Sequence, residues 1–199
     1  MIRKSSFRRL AMPLLAGAMA IAAVGTASAT APQSENTQSY STADRNVGRV
    51  PVALAKDPHL SDSCFSTTLP IHCEVKEPVV TQLKTTYDFS FLPGDHVLVT
   101  GGGCVQTGGS GKTWKRYIDP ASDNNKYHGL ITIPGATGDL DRLLDVVGRP
   151  LVVPGRGPVK LVLGYEDDNY GDNGYYAHDN GTADQCKNST NAFVSIDVT

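Results

Sequence analysis

From Glu77 onward the chain is a succession of short β-branched and aromatic runs. Each is bounded by Gly, Pro, Asn or Asp, and almost none has a helical period. That pattern limits the fold to an all-β architecture. Strands are expected over 79–83, 87–91, 96–100, 128–133, 150–153, 159–165 and 192–198, with turns at Pro93-Gly94-Asp95 and at 154–158. Val159, Leu161 and Leu163 alternate with Lys160, Val162 and Gly164. Phe193, Ser195 and Asp197 alternate with Val194, Ile196 and Val198, so each strand has one face for a core. Only 139–147 carries apolar residues three and four apart, enough for one or two helical turns. Seven or eight strands in about 125 residues suit a jelly-roll-like β-sandwich.

The N-terminal third is different. Arg3, Lys4, Arg8 and Arg9 precede an apolar Ala/Leu/Ile run that ends at Ala27-Ser28-Ala29, the signature of a secretory signal peptide over residues 1–29. No other long apolar stretch exists, so no membrane span is expected. Residues 30–63 are rich in Ser, Thr, Asn, Gln and Ala and read as a disordered or loosely attached arm. The leader, 30–75, closes with a small disulfide loop, and 76–199 forms the sandwich. Cleavage after residue 29 removes four basic residues and no acids, leaving 14 Lys and Arg against 20 Asp and Glu, a formal charge of −6. An acidic domain without a basic stripe argues against nucleic acid as a partner.

Four cysteines in an exported chain imply two disulfides, with three connectivities open. A short loop containing Pro70 closes easily, which favours Cys64 with Cys73 and leaves Cys104 with Cys186. The second bridge would tie the glycine-rich turn at 101–111 to the segment that follows an acidic loop.

That loop concentrates the chemistry. Between Glu166 and Asp184 lie six carboxylates and no Lys or Arg, so the segment repels itself unless a cation sits in it. Calcium takes six to eight oxygens from carboxylates, side-chain amides and backbone carbonyls, and this loop supplies all three kinds. The register does not match an EF-hand, whose acids alternate ahead of a Gly. Gly108 to Thr113 resembles a phosphate-binding loop, but Gln106 stands where its first Gly is required and Pro120 leaves no room for the helix that must follow. Neither a Ser/His/Asp order nor zinc spacing stands out, and carboxylates gathered in one loop chelate more readily than they divide acid and base roles. No enzymatic activity is expected.

The order of motifs is familiar: Pro93-Gly94-Asp95-His96-Val97 into a strand, a Gly-rich turn, His128-Gly129-Leu130-Ile131, then 159–165 feeding the Asp/Asn loop, and Phe193 to Val198 at the end. Over residues 76–199 it resembles the PA-I type galactophilic lectins of bacteria, small calcium-dependent galactose-binding jelly-roll sandwiches. The resemblance implies a calcium ion held by Asp167 or its neighbour Asp168, by the Asn169 carbonyl, and by Asp172 and Asn173. A further carbonyl would come from Val105, Gln106 or Thr107, and sugar hydroxyls would complete the shell. The chain departs from the family in a shorter arc from Asp167 to Tyr170, in Asp172 where Asn is usual, and in an inserted stretch over 175–190. The family's sugar-contacting His and Gln pair has no residue-by-residue match. Trp114, His128 and Asn125 are the candidates for sugar contact instead. The expectation is a secreted carbohydrate-binding protein whose calcium bridges loop oxygens and sugar. The alternatives are a calcium- and disulfide-stabilised interaction or inhibitor module and, third, a secreted hydrolase.

Overall fold

Period-two alternation decides the architecture. In the computed structural model, which describes residues 57–108, 113–121, 126–176 and 178–199, strand β1 (Ile71–Lys76) turns Ile71, Cys73 and Val75 inward. Strands β3 (His96–Gly102) and β11 (Phe193–Val198) do the same with Val97, Val99, Val194, Ile196 and Val198. With β8 (Pro150–Val152) they form an antiparallel sheet of order β1-β11-β3-β8. A second antiparallel sheet, order β2-β9-β6-β7, joins β2 (Lys84–Phe91), β9 (Val159–Tyr165), β6 (Gly129–Thr132) and β7 (Asp141–Arg142). Its Tyr87, Phe89, Phe91, Ile131, Leu161 and Leu163 share one core with the first sheet. The chain is thus an all-β sandwich, as the strand pattern requires. One helical turn, α1 (Leu143–Val146), lies within the 139–147 segment and buries Leu143 and Val146.

A third, small sheet of order β10-β4-β5 sits where the chain leaves β3. It contains β4 (Cys104–Thr107), β5 (Trp114–Arg116) and β10 (Asn173–Gly174). Gly103 makes the departure feasible: it has φ 77°, and a Cβ there would stand 2.2 Å from the Asn191 carbonyl oxygen. Only glycine accepts both the conformation and the approach.

Two local expectations fail for identifiable reasons. Residues 79–83 form no strand. Pro78 offers no N–H, the Val79 N–H donates to the Tyr87 hydroxyl at 2.8 Å, and the Val80 carbonyl accepts from the Asn173 side chain. The segment closed by the short disulfide is more than a loop, because β1 runs through Cys73 and pairs along its length with β11. Strand pairing therefore begins at Ile71, upstream of the sandwich boundary expected at Lys76. Both disulfides form as the loop argument favours, Cys64 with Cys73 and Cys104 with Cys186. The expected signal peptide, the leader up to residue 56 and Asn125 lie outside the described residues. Among those described, no helix is long and apolar enough to cross a membrane.

Candidate metal centre

The acidic loop begins where β9 ends, and its path is set by its own side chains. Asn169 caps a 3-10 turn at Tyr170–Asp172, its side-chain oxygen accepting the Gly171 N–H at 3.2 Å. The turn delivers the chain into β10, which pairs with β4 so that Asn173 faces Thr107 and Gly174 faces Gln106. Acidic loop and glycine-rich turn therefore meet at a two-residue ladder.

Four side-chain oxygens at this junction have no hydrogen-bond partner: Gln106 Oε1, Asp167 Oδ2, Asp172 Oδ1 and Asn173 Oδ1. Their donor-bearing halves are already engaged. Gln106, 3 % exposed, donates its amide to the Gly108 carbonyl at 2.7 Å, and Asn173, 5 % exposed, donates to the Val80 carbonyl at 2.9 Å. The other oxygen of Asp167 accepts from the amides of Asp168 and Asn169. Each buried oxygen left this way costs about 1–3 kcal/mol. Burial pushes the Asp167 carboxyl up from its ordinary value, and the Asn173 side chain and those two amides only partly offset it. Acceptor oxygens gathered without donors repel further anions and favour either a proton on Asp167 or a cation among them. A hard cation suits it, since calcium accepts amide oxygens as readily as carboxylates. Among the described residues no three His, Cys, Asp or Glu are gathered as metal ligands, so an ion here would have two carboxylates and depend on the amide oxygens for the rest.

Of the residues expected to hold metal, Asp167, Asp172, Asn173 and Gln106 supply these oxygens, Gln106 through its side chain where a backbone carbonyl is expected at 105–107. Asp168 does not join them. It is exposed, and its carboxylate pairs with Lys126 at 3.1 Å, which, with the adjoining Asp167 carboxyl, holds it below the usual range. The Asn169 side chain is engaged as the cap, leaving its carbonyl as its route to an ion. Cations absent from the segment itself arrive through space: Lys126 at Asp168, and Arg142 at Glu166, 3.1 Å from Oε2. The six acids thus repel one another less than their spacing implies.

The sugar-contact candidates fare differently. Trp114 is 1 % exposed, stacks on His178 with centroids 4.1 Å apart and packs with the Cys104–Cys186 bridge, so it has no face to offer a sugar. His128 is 5 % exposed, its Nδ1 3.4 Å from Glu166 Oε2. Burial and the neighbouring Arg142 push its pKa down against the pull of Glu166. A folded-state pKa below the unfolded one means that the unfolded chain takes the proton first. His128 therefore withdraws stability as pH falls below about 6.5. Melts of wild type and His128→Gln between pH 7.5 and 5 check this: the wild type should lose more stability on acidification, and equal losses would remove His128 as the cause.

Asp179, at the far end of the acidic segment, has a structural task. It accepts from the Thr113 and Trp114 amides at 2.8 and 3.3 Å, from the Thr113 hydroxyl at 3.3 Å and from the Gly181 amide at 2.6 Å. Burial works against its charge, but these donors outweigh it and hold the carboxyl below its ordinary range. On the outer face of the first sheet, His72 Nδ1 lies 2.7 Å from Asp197 Oδ1 and His72 Nε2 lies 3.4 Å from Ser195 Oγ. The order is that of a nucleophile relay. Yet Ser195 is buried on a strand paired along both edges, so the adjacent amides are taken by the ladders and no oxyanion cradle forms. The cluster pins β1 to β11. No known protein family, no curated protein and no solved structure matches this chain.

Proposed function

We propose that this is a secreted, calcium-dependent carbohydrate-binding protein in which an ion at Gln106, Asp167, Asp172 and Asn173 bridges the loop and the hydroxyls of a sugar. The observation that carries the reading is the set of four unpartnered oxygens where β10 meets β4. A bound calcium would supply positive charge and open coordination positions to which a vicinal diol can bind. The protein's part is to orient oxygens: the Val80 and Gly108 carbonyls fix the two amides, and the Asp168 and Asn169 amides fix Asp167. Both disulfides and the expected signal peptide agree with an oxidising, extracellular setting. The order of motifs shared with the galactophilic lectins points to sugar as the ligand, and binding rather than catalysis is the activity proposed.

The competing reading keeps calcium as a purely structural ion in an interaction or inhibitor module. A glycan array read in calcium and in chelator separates the two. The expected result is binding to a restricted set of glycans that disappears with chelator. Clear calcium affinity with no glycan bound would reject the lectin reading in favour of the structural one.

A further inference from the structure

The loop closed by Cys64 and Cys73 takes no part in the candidate centre, and it has a construction of its own. β1 pairs with β11 from Ile71 opposite Val198 to Lys76 opposite Phe193, and Phe193 faces Gly102, where the chain leaves for β4. The loop therefore lies at the end of that sheet away from the junction of β4 and β10. Both of its cysteines are buried, so its feet stand in the core. Ser66 leaves the 3-10 turn Asp62–Phe65 extended, at φ −63° and ψ 138°. Its hydroxyl reaches across Thr67: it donates to the Thr68 carbonyl at 3.1 Å, accepts the Thr68 amide at 3.3 Å and lies 3.4 Å from the Thr68 hydroxyl. Thr67 and Leu69 make no hydrogen bond among the described residues. The peptide bond between Thr67 and Thr68 is thus braced from one side, and the backbone groups of the alternate residues are left for a partner.

We infer that residues 66–69 are a substrate-like loop that inhibits an extracellular serine protease with a shallow specificity pocket, Thr67 entering the pocket and its carbonyl lying at the catalytic serine. Such a protease holds its substrate as an extended strand through alternate backbone groups, the spacing at which Thr67 and Leu69 are free. Thr67 is half-buried and its side chain is short and branched. It suits a small pocket of elastase type and cannot fill the deep one of trypsin or chymotrypsin. Bracing turns a substrate into an inhibitor, because a loop already held in its bound shape loses little freedom on binding. When the serine oxygen adds to the Thr67 carbonyl carbon and the bond to the Thr68 nitrogen breaks, that nitrogen takes the proton carried by the protease histidine and becomes an amine. The disulfide and Ser66 keep the amine beside the acyl carbon. It attacks in turn, returns its proton through the histidine to the departing serine oxygen, and the peptide bond re-forms ahead of hydrolysis. None of this needs calcium or sugar.

The test uses the full secreted chain, with pancreatic elastase and trypsin as the probes. Wild type should inhibit elastase and leave trypsin active. Thr67→Lys should carry inhibition over to trypsin, whose pocket is acidic, and lose it against elastase. Ser66→Ala should weaken elastase inhibition about tenfold, the worth of one hydrogen bond. Melts of both variants confirm that they fold. On long incubation any cut should fall between Thr67 and Thr68 and leave most of the chain intact. Elastase left active by wild type overturns the inference, as does a Thr67→Lys variant with unaltered specificity. Rapid digestion of the loop, or a cut at another bond, overturns it as well. The lectin reading is decided separately by the glycan array.

Discussion

Replacing Cys104 and Cys186 together by alanine should lower the stability of the chain by about 4.5 kcal/mol, against about 2.5 kcal/mol for the Cys64 and Cys73 pair. The difference follows from loop length, 82 residues of separation against 9, because the longer tether removes more freedom from the unfolded chain. The folded state should keep its shape. Gln185 accepts the Arg116 and Ala121 amides at 3.1 and 2.9 Å, and Asp179 still joins the same segment to β5 through the Trp114 amide. The local core weakens all the same, since Trp114 packs on the bridge. Urea titrations of the two double variants against wild type measure both losses. A smaller loss for the long-range pair would show that the unfolded chain is already held compact between β4 and residue 186, against the entropy argument.

The second large effect is that of calcium on folding. A ligand that binds only the folded state at a hundred times its dissociation constant adds about 2.7 kcal/mol. For a domain of this size that is a rise in melting temperature of roughly 6–12 °C. Asp167→Ala, Asp172→Ala and Asn173→Ala should each lose most of the rise. Asp168→Ala should keep most of it, because that carboxylate is exposed and already paired with Lys126. In chelator the order changes. Asp167→Asn should melt at or above wild type, because it removes a charge that burial disfavours and calcium no longer balances. Asp179→Ala should melt low in both conditions, since it strips acceptors from the Thr113, Trp114 and Gly181 amides whatever the ion does. A wild type that melts at one temperature with and without calcium would show that the four buried oxygens hold no calcium and take the proposed function with it.

Some of this is legible along the chain and some is not. Strands β9 and β11 are plain because their apolar residues alternate over six or seven positions with no competing signal. Residues 79–83 carry the same composition and form no strand, because a tyrosine from the next strand takes the Val79 N–H. β1 hides inside a segment that its cysteines make look like a stapled loop, though Cys73 is itself one of its inward residues.

Legible in the chain are the class of the fold, a pair of disulfides with one connectivity favoured, and the loop where oxygen ligands accumulate. Each of these follows from local period, from loop closure or from contiguous composition. Which oxygens remain without partners is settled by packing. That depends on the Val80 and Gly108 carbonyls taking up the amide halves of Asn173 and Gln106, on Lys126 pairing with Asp168, and on His178 and a disulfide covering Trp114. Those partners come from up to 93 residues away, so no window along the chain contains both members of the longest-range pairs.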